Sequence, residues 1–317
     1  MNGPVSVVIP AYNAAGTIDR TLQSVRNQTW RDLDIIVVDD GSGDATAERV
    51  RRHAAEDGRV RLFVQPNGGV ARARNRGIEE ARGDLIAPVD ADDLWRPDKI
   101  ERQVAVLRGG GERVGLVYCW FAIIDDQDRV IGHGDRALDE GDVLERMCLG
   151  NLVGNGSVPL MRRADVLACG GYDPGLRDRK AQGCEDLKLY FALSERSRFA
   201  LVPEILLGYR WSPTNMSSDG RQMLRSYDLV MEPQRARYPR YTRTFDRGRV
   251  HMLDWLFDRS VRYGKPAERR AILGALRRQS PAAAAKAVLR MPGVMAERLR
   301  SSQRSARSFL EAADGQR

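Results

Sequence analysis

The chain has 317 residues, of which 42% are hydrophobic and 30% are charged, and its net charge is +8. This length and composition can bury a sizeable core, which excludes a disordered protein and suits one large domain, alone or with a smaller appendage. No run of 18 apolar residues and no signal peptide is visible, so we expect no membrane-spanning helix and a cytoplasmic location.

The cysteines and histidines are too scattered to suggest a metal site. The four cysteines are separated by 29, 21 and 15 residues, which matches neither a zinc CxxC spacing nor a disulfide framework, so we interpret them as reduced packing residues. The three histidines suggest neither a histidine metal site nor a histidine-based triad. Carboxylates must therefore carry most of any acid–base chemistry.

Short β-branched segments, alternating with helical patterns, predict the first part of the fold. The strands are expected at residues 5–10, 34–39, 60–64 and 84–89. Strands that alternate with helices of about 12 residues indicate an α/β fold, with a parallel sheet and helices on both faces. Ligands bind such sheets at the carboxyl ends of the strands.

The pattern changes after residue 97. The later elements are expected to be a helix to about 107, a hairpin formed by 114–124 and 129–134, a helix at 141–149 and a strand at 201–211. After Gly220 the sequence is mostly helical, and we expect breaks at Pro266, Pro281 and Pro292.

The positive charge is concentrated in the C-terminal region. Residues 221–317 contain 22 Lys and Arg against 9 Asp and Glu, whereas residues 1–220 carry a net charge of −5. The region has neither interleaved aromatic residues nor a zinc-finger motif, so we do not expect nucleic acid as a partner. We expect an anionic membrane surface or a lipid-linked phosphate instead. One apolar helical stripe fits either a helix packed on the protein or a membrane-surface helix. It consists of Val288, Met291, Met295 and Leu299.

Acidic residues follow the fourth predicted strand. The apolar run LIAPV is followed directly by Asp90-Ala91-Asp92-Asp93, which contains three acids in four positions. Three carboxylates so close together repel each other unless a metal ion or hydrogen-bond donors neutralise them. In an extended chain Asp90 and Asp92 share a face, and their oxygen ligands suit Mg²⁺ or Mn²⁺. The alternative is a solvated turn that caps the following helix.

Polar motifs also close the first two strands. PAYN ends the first strand and DDGS ends the second. Acids at the end of the second strand often accept hydrogen bonds from a ribose or a base. The alternative is that these residues only form turns. No phosphate-binding GxxxxGK[ST] or GxGxxG motif follows the first strand. In the helix that follows NGG, Arg72 and Arg76 share a face and Arg74 lies nearly opposite. One of these faces is a candidate phosphate or base contact, and solvated arginines are the alternative.

Together, VSVVIPAYN, VVDDGSGDAT, NGGVARARNRG and APVDADD resemble the family 2 glycosyltransferases, over about residues 4–100 and again over 155–190. The resemblance implies a GT-A type, Rossmann-like, mostly parallel sheet with flanking helices, to which this chain adds a basic helical C-terminal extension. It also implies a nucleotide-diphosphate-sugar donor, a divalent metal (Mn²⁺ or Mg²⁺) and inversion at the anomeric carbon.

The resemblance assigns roles to individual residues. The nucleoside contacts of the family fall on Pro10, Tyr12, Asn13 and Asp40, with Asp39 beside them. Arg74 and Asp90 are further expected contacts of the nucleotide sugar. The metal-binding DxD motif falls on Asp90-Ala91-Asp92, where Asp92 is the first choice for the metal, and the adjacent Asp93 is the second expected metal ligand. UDP is the first expectation for the nucleotide, and dTDP and GDP stay open.

The catalytic base is expected in the segment GCEDLKLY, at residues 183–190. This segment resembles the Glu-Asp motif of the family, in which the aspartate, here Asp186, takes the proton of the acceptor hydroxyl. The preceding GGYD matches the GGF-D segment of the family, and Gly171, Tyr172 and Glu185 are placed on the acceptor side. For a Glu-Asp pair alone, the alternative is an electrostatic cap of a helix N-terminus.

The sequence suggests a division of the chain and a cellular role. Residues 1–219 are expected to form the glycosyltransferase domain, with a nucleotide-sugar-binding half at 1–97 and an acceptor-binding half at 98–219; residues 220–317 form the basic helical region. The family resemblance implies a saccharide or lipid-linked acceptor and a role in bacterial cell-surface polysaccharide or glycolipid assembly. The basic C-terminal region adds the expectation of a peripheral position on the inner face of the plasma membrane. The Arg-Trp pair at 210–211 lacks the rest of the motif found in processive members, so a polymerising synthase is not expected.

Two other functions compete with this interpretation. A nucleotidyltransferase can share the sheet and the acid pair, but it would normally have a lysine-containing, Gly-rich loop after the first strand, and the segment AAGT at 14–17 has no lysine. A protein that binds nucleotide sugars without turnover is the other alternative. The presence of acids at both Asp92 and Asp186 argues against it.

Overall fold

A computed structural model of the chain describes residues 3–212, 218–301 and 308–310, without the side chains of 297–301. Within these residues the strands form one sheet. They are β1 (Val5–Ala11), β2 (Leu33–Asp39), β3 (Val60–Val64), β4 (Leu85–Pro88), β5 (Leu94–Trp95), β6 (Val114–Ile124), β7 (Val130–His133), β8 (Leu160–Arg162) and β9 (Arg198–Arg210). Their order in space is β3-β2-β1-β4-β8-β6-β9-β5, and β7 pairs with β6.

The first four strands are mutually parallel, as the sequence predicts. β1 is central among them, and its Val5 pairs with Leu33 of β2 and with Leu85 of β4. β1 and β2 are buried along their whole length, which explains why their sequences are almost continuously apolar and β-branched. Because the strands run in the same direction, the segments that follow β1, β2 and β4 all emerge at one edge of the sheet.

The remainder of the sheet is mixed. β8 runs antiparallel to both β4 and β6, and β5 runs antiparallel to β9. β6 and β9 pair in parallel over most of their length, and β6 forms the predicted hairpin with β7. The strand predicted at 201–211 is therefore confirmed as β9, although it begins three residues earlier, at Arg198.

Helices flank the sheet. They are α1 (Ile18–Arg26), α2 (Thr46–Glu56), α3 (Val70–Glu79), α4 (Lys99–Gly109), α5 (Leu144–Cys148), α6 (Arg163–Ala168), α7 (Gly175–Asp178), α8 (Glu185–Ser194), α9 (Gly220–Arg237), α10 (Thr242–Arg262), α11 (Pro266–Gln279) and α12 (Pro281–Ser301). The helix predicted at 141–149 is shorter in the structure, where it is α5. In the described residues, no helix is both long and apolar enough to cross a bilayer.

The prolines of the C-terminal region occupy two kinds of position. Pro266 and Pro281 are the first residues of α11 and α12, where the missing N–H has no intrahelical partner to lose. Pro292 lies inside α12, so the predicted break at this residue is wrong. An interior proline is unfavourable by about 3 kcal/mol, which the packing of α12 on the other helices must offset.

The packed face of α12 differs from the predicted stripe. Its buried residues are Ala284, Ala287 and Val294, and the small alanines allow α12 to lie close to α10. Val288 and Met295 are instead 45% and 48% exposed, because they lie on the outward side of the helix. Met291 is partly buried against the core, and the side chain of Leu299 lies outside the described residues. The stripe is therefore divided in the structure: Met291 faces the core, whereas Val288 and Met295 are exposed, which favours the membrane-surface alternative over the packed one. Contact with a membrane remains a prediction.

The cysteines confirm their prediction. Cys119, Cys148 and Cys184 are buried and Cys169 is partly buried, and all four are free thiols.

Candidate active site

A cleft of about 1590 Å³ lies at the edge of the sheet where β1 and β4 end. Its walls come from the end of β1, from α3, from the turn after β4, from the start of α8 and from α10. The predicted site residues that line it are Pro10, Tyr12, Asn13, Arg74, Asp90, Asp92 and Asp186. The structure thus brings five of the seven predicted donor residues and the predicted base to one cavity.

Asp90 and Asp92 present carboxyl groups to this cleft. Asp90 accepts a hydrogen bond from Nη2 of Arg74 at 2.5 Å, and its side chain remains 30% exposed. Burial, followed by the charge of Asp90, raises the pKa of Asp92 to about 7, against the opposing charge of Arg210. A desolvated carboxyl group beside a second carboxylate is stabilised in its charged form by a cation.

Asp93 faces the interior. It is fully buried; its Oδ1 accepts a hydrogen bond from the backbone N–H of Arg210 at 2.8 Å, and its Oδ2 accepts one from the Ser157 hydroxyl at 2.5 Å. Burial, with the charges of Asp92 and Asp90, raises its pKa well above the usual range. Both oxygens are thus used within the protein, so Asp93 occupies a supporting position behind the cleft and not the metal-ligating position that the sequence predicts.

Arg210 connects this acidic turn to the β6–β7 hairpin. Its side chain is 2% exposed, and its Nε donates to the backbone carbonyl of Asp92 at 2.8 Å. The same guanidinium donates to the backbone carbonyl of Asp125 and to the carboxylate of Asp128. Arg210 therefore fixes the position of the turn that carries Asp90 and Asp92.

The arginines of α3 divide between its two faces. Arg74 is buried, and its guanidinium carbon lies 5.1 Å from the centre of the Tyr172 ring, a cation–π distance. The side chains of Arg72 and Arg76 are 56% and 48% exposed. The structure therefore gives Arg74 alone a place in the cleft, and the other two lie on the solvent side of the helix.

Asp186 lies in the first turn of α8. Its Oδ2 accepts a hydrogen bond from Nδ2 of Asn151 at 3.1 Å, and its Oδ1 accepts one from the backbone N–H of Leu187 at 2.7 Å. Burial raises its pKa to about 6, with the charge of Arg74 opposing this shift and that of Glu185 adding to it. A carboxyl group with a pKa close to the working pH is well suited to general base catalysis.

The three residues predicted on the acceptor side, Gly171, Tyr172 and Glu185, do not line the cleft. Glu185 is 3% exposed and accepts a hydrogen bond from the backbone N–H of Gly183 at 2.9 Å. Tyr172 is 1% exposed. Gly171 has a φ of 68°, and a Cβ atom there would lie 2.7 Å from Oδ1 of Asn75. The predicted direct contact of these residues with an acceptor is not supported, because none of the three is among the residues that line the cleft.

The two acids that close β2 hold loops in place. Oδ1 of Asp39 accepts a hydrogen bond from the backbone N–H of Ser42 at 3.0 Å. The carboxylate of Asp40 accepts hydrogen bonds from the backbone N–H groups of Gly68 at 2.8 Å and Gly69 at 2.7 Å. Asp39 and Asp40 are therefore buried supports of the loops around the cleft, and their carboxylates do not line it in this structure.

Tyr12 and Asn13, at the end of β1, do reach the cleft. Tyr12 is 55% exposed, which leaves its ring accessible. Asn13 adopts a φ of 48°; its backbone N–H donates to the Ser42 hydroxyl at 2.9 Å, and its Oδ1 accepts a hydrogen bond from the backbone N–H of Gly43 at 2.8 Å. These bonds connect the end of β1 to the loop after β2, and so confirm that the two closing motifs meet.

Three parts of the cleft were missed at the level of sequence. Asn151 contacts Asp186 from 35 positions away, and no motif in this segment indicated it. Arg210 was noted only as half of a motif of processive enzymes. The third part is α10, which lines the cleft although residues 220–317 were assigned to a basic helical region separate from the catalytic domain.

The oxygen donors at Asp90 and Asp92 fit a hard divalent cation. In the described residues, no group of three or more His, Cys, Asp or Glu side chains could hold a metal ion without further ligands. Mg²⁺, however, is usually held by one or two carboxylates and completes its octahedron with water and substrate phosphates. The pKa of Asp92, raised to about 7, indicates the unfavourable burial of charge that such a cation would relieve.

The fold is that of a GT-A glycosyltransferase. The chain belongs to glycosyl transferase family 2, whose sequence profile matches residues 6–169.

Bacterial relatives agree with this assignment. The putative glycosyltransferase EpsH of Bacillus subtilis is 41% identical over 118 residues, which are 37% of this chain and 33% of EpsH. The amylovoran biosynthesis glycosyltransferase AmsB of Erwinia amylovora is 40% identical over 129 residues, which are 38% of this chain and 42% of AmsB. The matched segment thus spans a third to two fifths of these relatives.

Solved structures share the fold over nearly the whole chain. S. aureus TarS 1–349 in complex with UDP superposes with a TM-score of 0.54 at 16% identity, covering 95% of this chain and 93% of that one. The mannosyltransferase PcManGT from Pyrobaculum calidifontis, in complex with GDP-Man and Mn²⁺, gives a TM-score of 0.60 at 18% identity, covering 95% and 86%. At such low identity these matches establish the fold alone.

Proposed function

We propose that this chain is an inverting glycosyltransferase that moves a sugar from a nucleotide-diphosphate sugar to an acceptor hydroxyl with the help of a divalent metal. One observation carries the proposal. Asp92 and Asp186, whose pKa values are raised to about 7 and about 6 by burial, line the same cleft. Perturbed carboxyl groups that share a cleft are typical of catalytic sites.

Asp186 is the general base of the proposed reaction. It takes the proton of the acceptor hydroxyl while the acceptor oxygen forms a bond to the anomeric carbon. The bond from that carbon to the diphosphate oxygen breaks, and the nucleoside diphosphate leaves with the electron pair. Attack opposite the leaving group inverts the anomeric configuration. General base catalysis typically contributes about 10²- to 10⁴-fold.

The donor side is formed by the ends of β1 and β4 together with α3. The exposed ring of Tyr12 offers a surface for the base, and Asn13 is held beside it by the loop after β2. Arg74 and Asp90 form an ion pair at the position expected for the diphosphate. A cation held by Asp92 and Asp90 would supply Lewis-acid neutralisation of the charge on the departing diphosphate.

The donor, acceptor and cellular role are proposed by analogy. UDP and UDP-GlcNAc are bound in TarS structures, and GDP-Man is bound in PcManGT; UDP is our first choice. The name of AmsB assigns that relative to amylovoran biosynthesis. For this chain we favour bacterial cell-surface polysaccharide or glycolipid assembly, with a saccharide or lipid-linked acceptor. We retain the proposed division at residue 219, but α10 belongs functionally to the cleft.

The C-terminal region is proposed to contact an anionic membrane surface from the cytoplasmic side. On the outward face of α12, Leu289 is 80% exposed, and Val288 and Met295 are nearly half exposed. Residues 221–317 carry 22 basic side chains against 9 acidic ones. An apolar helix face in a basic region is typical of helices that lie in the membrane interface.

The test is a donor-turnover assay. Release of nucleoside diphosphate is measured from UDP-, dTDP- and GDP-sugars with Mn²⁺, Mg²⁺ or EDTA, for the wild type and for Asp92→Ala. Metal-dependent release from one donor, lost in the variant, supports the proposal and identifies the donor. Release of pyrophosphate would favour a nucleotidyltransferase. If the donor binds but neither nucleoside diphosphate nor pyrophosphate is released, even when a cell extract that supplies acceptors is added, a non-catalytic binding protein is favoured.

A further inference from the structure

One face of α10 lines the cleft along much of the helix. His251, Trp255, Asp258 and Arg262 are spaced by four, three and four residues, which places them on a single stripe, and all four border the cleft. At a rise of 1.5 Å per residue, the stripe extends for about 16 Å. The catalytic cavity therefore has a long wall made by a helix outside the 6–169 family segment.

The α10 wall lies close to the loop that contains Leu149 and Asn151. At Gly248 of α10, a Cβ atom would lie 2.5 Å from the backbone oxygen of Leu149, so only glycine permits the close approach of the helix and the loop. Two residues after Leu149 comes Asn151, which donates to Asp186. Arg290 of α12 pairs with Asp254 at 2.8 Å and with Oδ1 of Asp258, at the edge of the stripe, at 3.2 Å.

Trp255 is the aromatic residue on this stripe, and it is 36% exposed. The guanidinium carbon of Arg259 lies 4.9 Å from the centre of the Trp255 ring and 4.6 Å from that of Trp211. Arg259 is itself buried. The contact of this buried cation with both indole rings restrains Trp255, so the exposed part of Trp255 is a pre-oriented aromatic surface beside the polar side chains of His251 and Asp258.

The cleft is larger than a donor needs. Pockets for single small ligands are typically about 300–1,000 Å³, whereas this cleft measures about 1590 Å³. The donor residues Tyr12, Arg74 and Asp90 come from β1, α3 and the turn after β4, and none of them belongs to α10. Space along α10 is therefore available to a second substrate.

We propose that the Trp255 stripe of α10 binds the saccharide acceptor, with one sugar ring stacked on the Trp255 indole and its hydroxyls facing His251 and Asp258. A sugar ring has an apolar face of C–H groups and a rim of hydroxyls. The C–H groups suit the negative face of an indole ring, and the hydroxyls suit an imidazole and a carboxylate. The inference rests on the proposed transferase function, because it identifies the acceptor site of that reaction.

The experiment measures binding separately from turnover. The full chain, with its tryptophan indoles labelled with ¹⁵N, is saturated with UDP and Mg²⁺ and titrated with cello-, manno- and chito-oligosaccharides. The five tryptophans give five indole signals, and the loss of one signal in Trp255→Phe assigns Trp255. We expect at least one oligosaccharide to shift this signal, and Trp255→Ala to weaken its binding at least about tenfold.

Two variants serve as controls. Trp255→Phe keeps an aromatic ring and should bind within about threefold of the wild type. Trp30→Ala removes a partly buried tryptophan that packs with Arg108 away from the cleft, and should leave binding unchanged. The proposal is overturned if no oligosaccharide shifts the Trp255 signal, if UDP alone produces the same shift, or if Trp255→Ala binds as tightly as the wild type.

These outcomes are independent of the donor assay. If no donor is turned over but an oligosaccharide still binds at Trp255, the transferase proposal fails and the saccharide site stands. If donor turnover is metal-dependent but Trp255 responds to no saccharide, the transferase proposal stands and the saccharide site fails.

Discussion

Asn151 donates a hydrogen bond from its side-chain Nδ2 to Oδ2 of Asp186, at 3.1 Å. The other end of the same amide, Oδ1, accepts hydrogen bonds from the backbone N–H groups of Val153 and Gly154, both at 3.1 Å. The amide is therefore oriented by its own loop, and it directs one oxygen of the Asp186 carboxylate. The loop before β8 thereby positions the proposed catalytic base.

Replacement of Asp186 tests the base directly. In Asp186→Asn the side chain keeps its size but cannot accept the acceptor proton, so we expect kcat to fall about 10²- to 10⁴-fold with donor affinity unchanged. Asp178→Asn is a matched control, since the Asp178 side chain is 65% exposed, and it should be fully active. Turnover of Asp186→Asn close to that of the wild type would remove Asp186 from this role.

Activity should depend on the ionisation of Asp186. The base acts as a carboxylate, and burial raises its pKa to about 6. As the pH falls below this value, the carboxylate is protonated and kcat/KM should decrease about tenfold per pH unit; above it, kcat/KM should level off. The measurement is kcat/KM under limiting acceptor between pH 4.5 and 8. A flat profile across pH 6 contradicts the assignment.

Asn151→Ala should move this pH profile. The Asn151 amide donates to the charged form of Asp186, so its removal raises the pKa of Asp186 and shifts the acid limb to higher pH. Loss of orientation should also lower kcat about 10- to 100-fold. Asn75→Ala is the control: Asn75 bonds the backbone of Tyr172 outside the cleft, so its loss should lower stability without moving the limb. If the acid limb of the pH profile stays at the same pH in Asn151→Ala, Asn151 does not position Asp186.

Asp92 and Asp93 should behave differently when each is replaced by alanine. Asp92→Ala removes a carboxyl group whose charge burial disfavours, so stability should be kept while metal-dependent donor binding is lost. Asp93→Ala leaves the Ser157 hydroxyl and the Arg210 N–H without their acceptor, and should lower the free energy of unfolding by about 1–3 kcal/mol. Denaturant unfolding and calorimetric titration of UDP with Mn²⁺ separate the two. If both variants lose metal-dependent UDP binding to the same extent, the assignment of metal binding to Asp92 and of structural support to Asp93 is contradicted.

The sequence was most informative where the important residues are close together in the chain. Asp90 and Asp92 are two positions apart in a motif at a strand end, and the first four strands show the alternating βα pattern of a parallel sheet. Their position in one cleft follows from the direction of those strands. Asp186 was reached through its family motif.

Contacts between distant segments could not be predicted in this way. Arg210 meets Asp93 across 117 positions, and nothing in local spacing indicates such a pair. Asp40 has the residue type of a ligand contact, but its partners are the backbone N–H groups of a loop. On α12, Ala284 and Ala287 form the packed face, whereas the sequence pattern favoured larger apolar residues that point outwards.

The outward face of α12 gives a prediction about membrane association. Leu289 is 80% exposed, and burying a leucine side chain is worth about 1.5–3 kcal/mol, so Leu289→Glu should weaken binding to phosphatidylglycerol vesicles at least about tenfold. Leu138→Glu is the control, because Leu138 is 70% exposed but lies outside the basic region. Co-sedimentation at low and high salt measures both variants, and salt should weaken wild-type binding by screening. If Leu289→Glu binds vesicles as the wild type does, the exposed face of α12 is not a membrane contact.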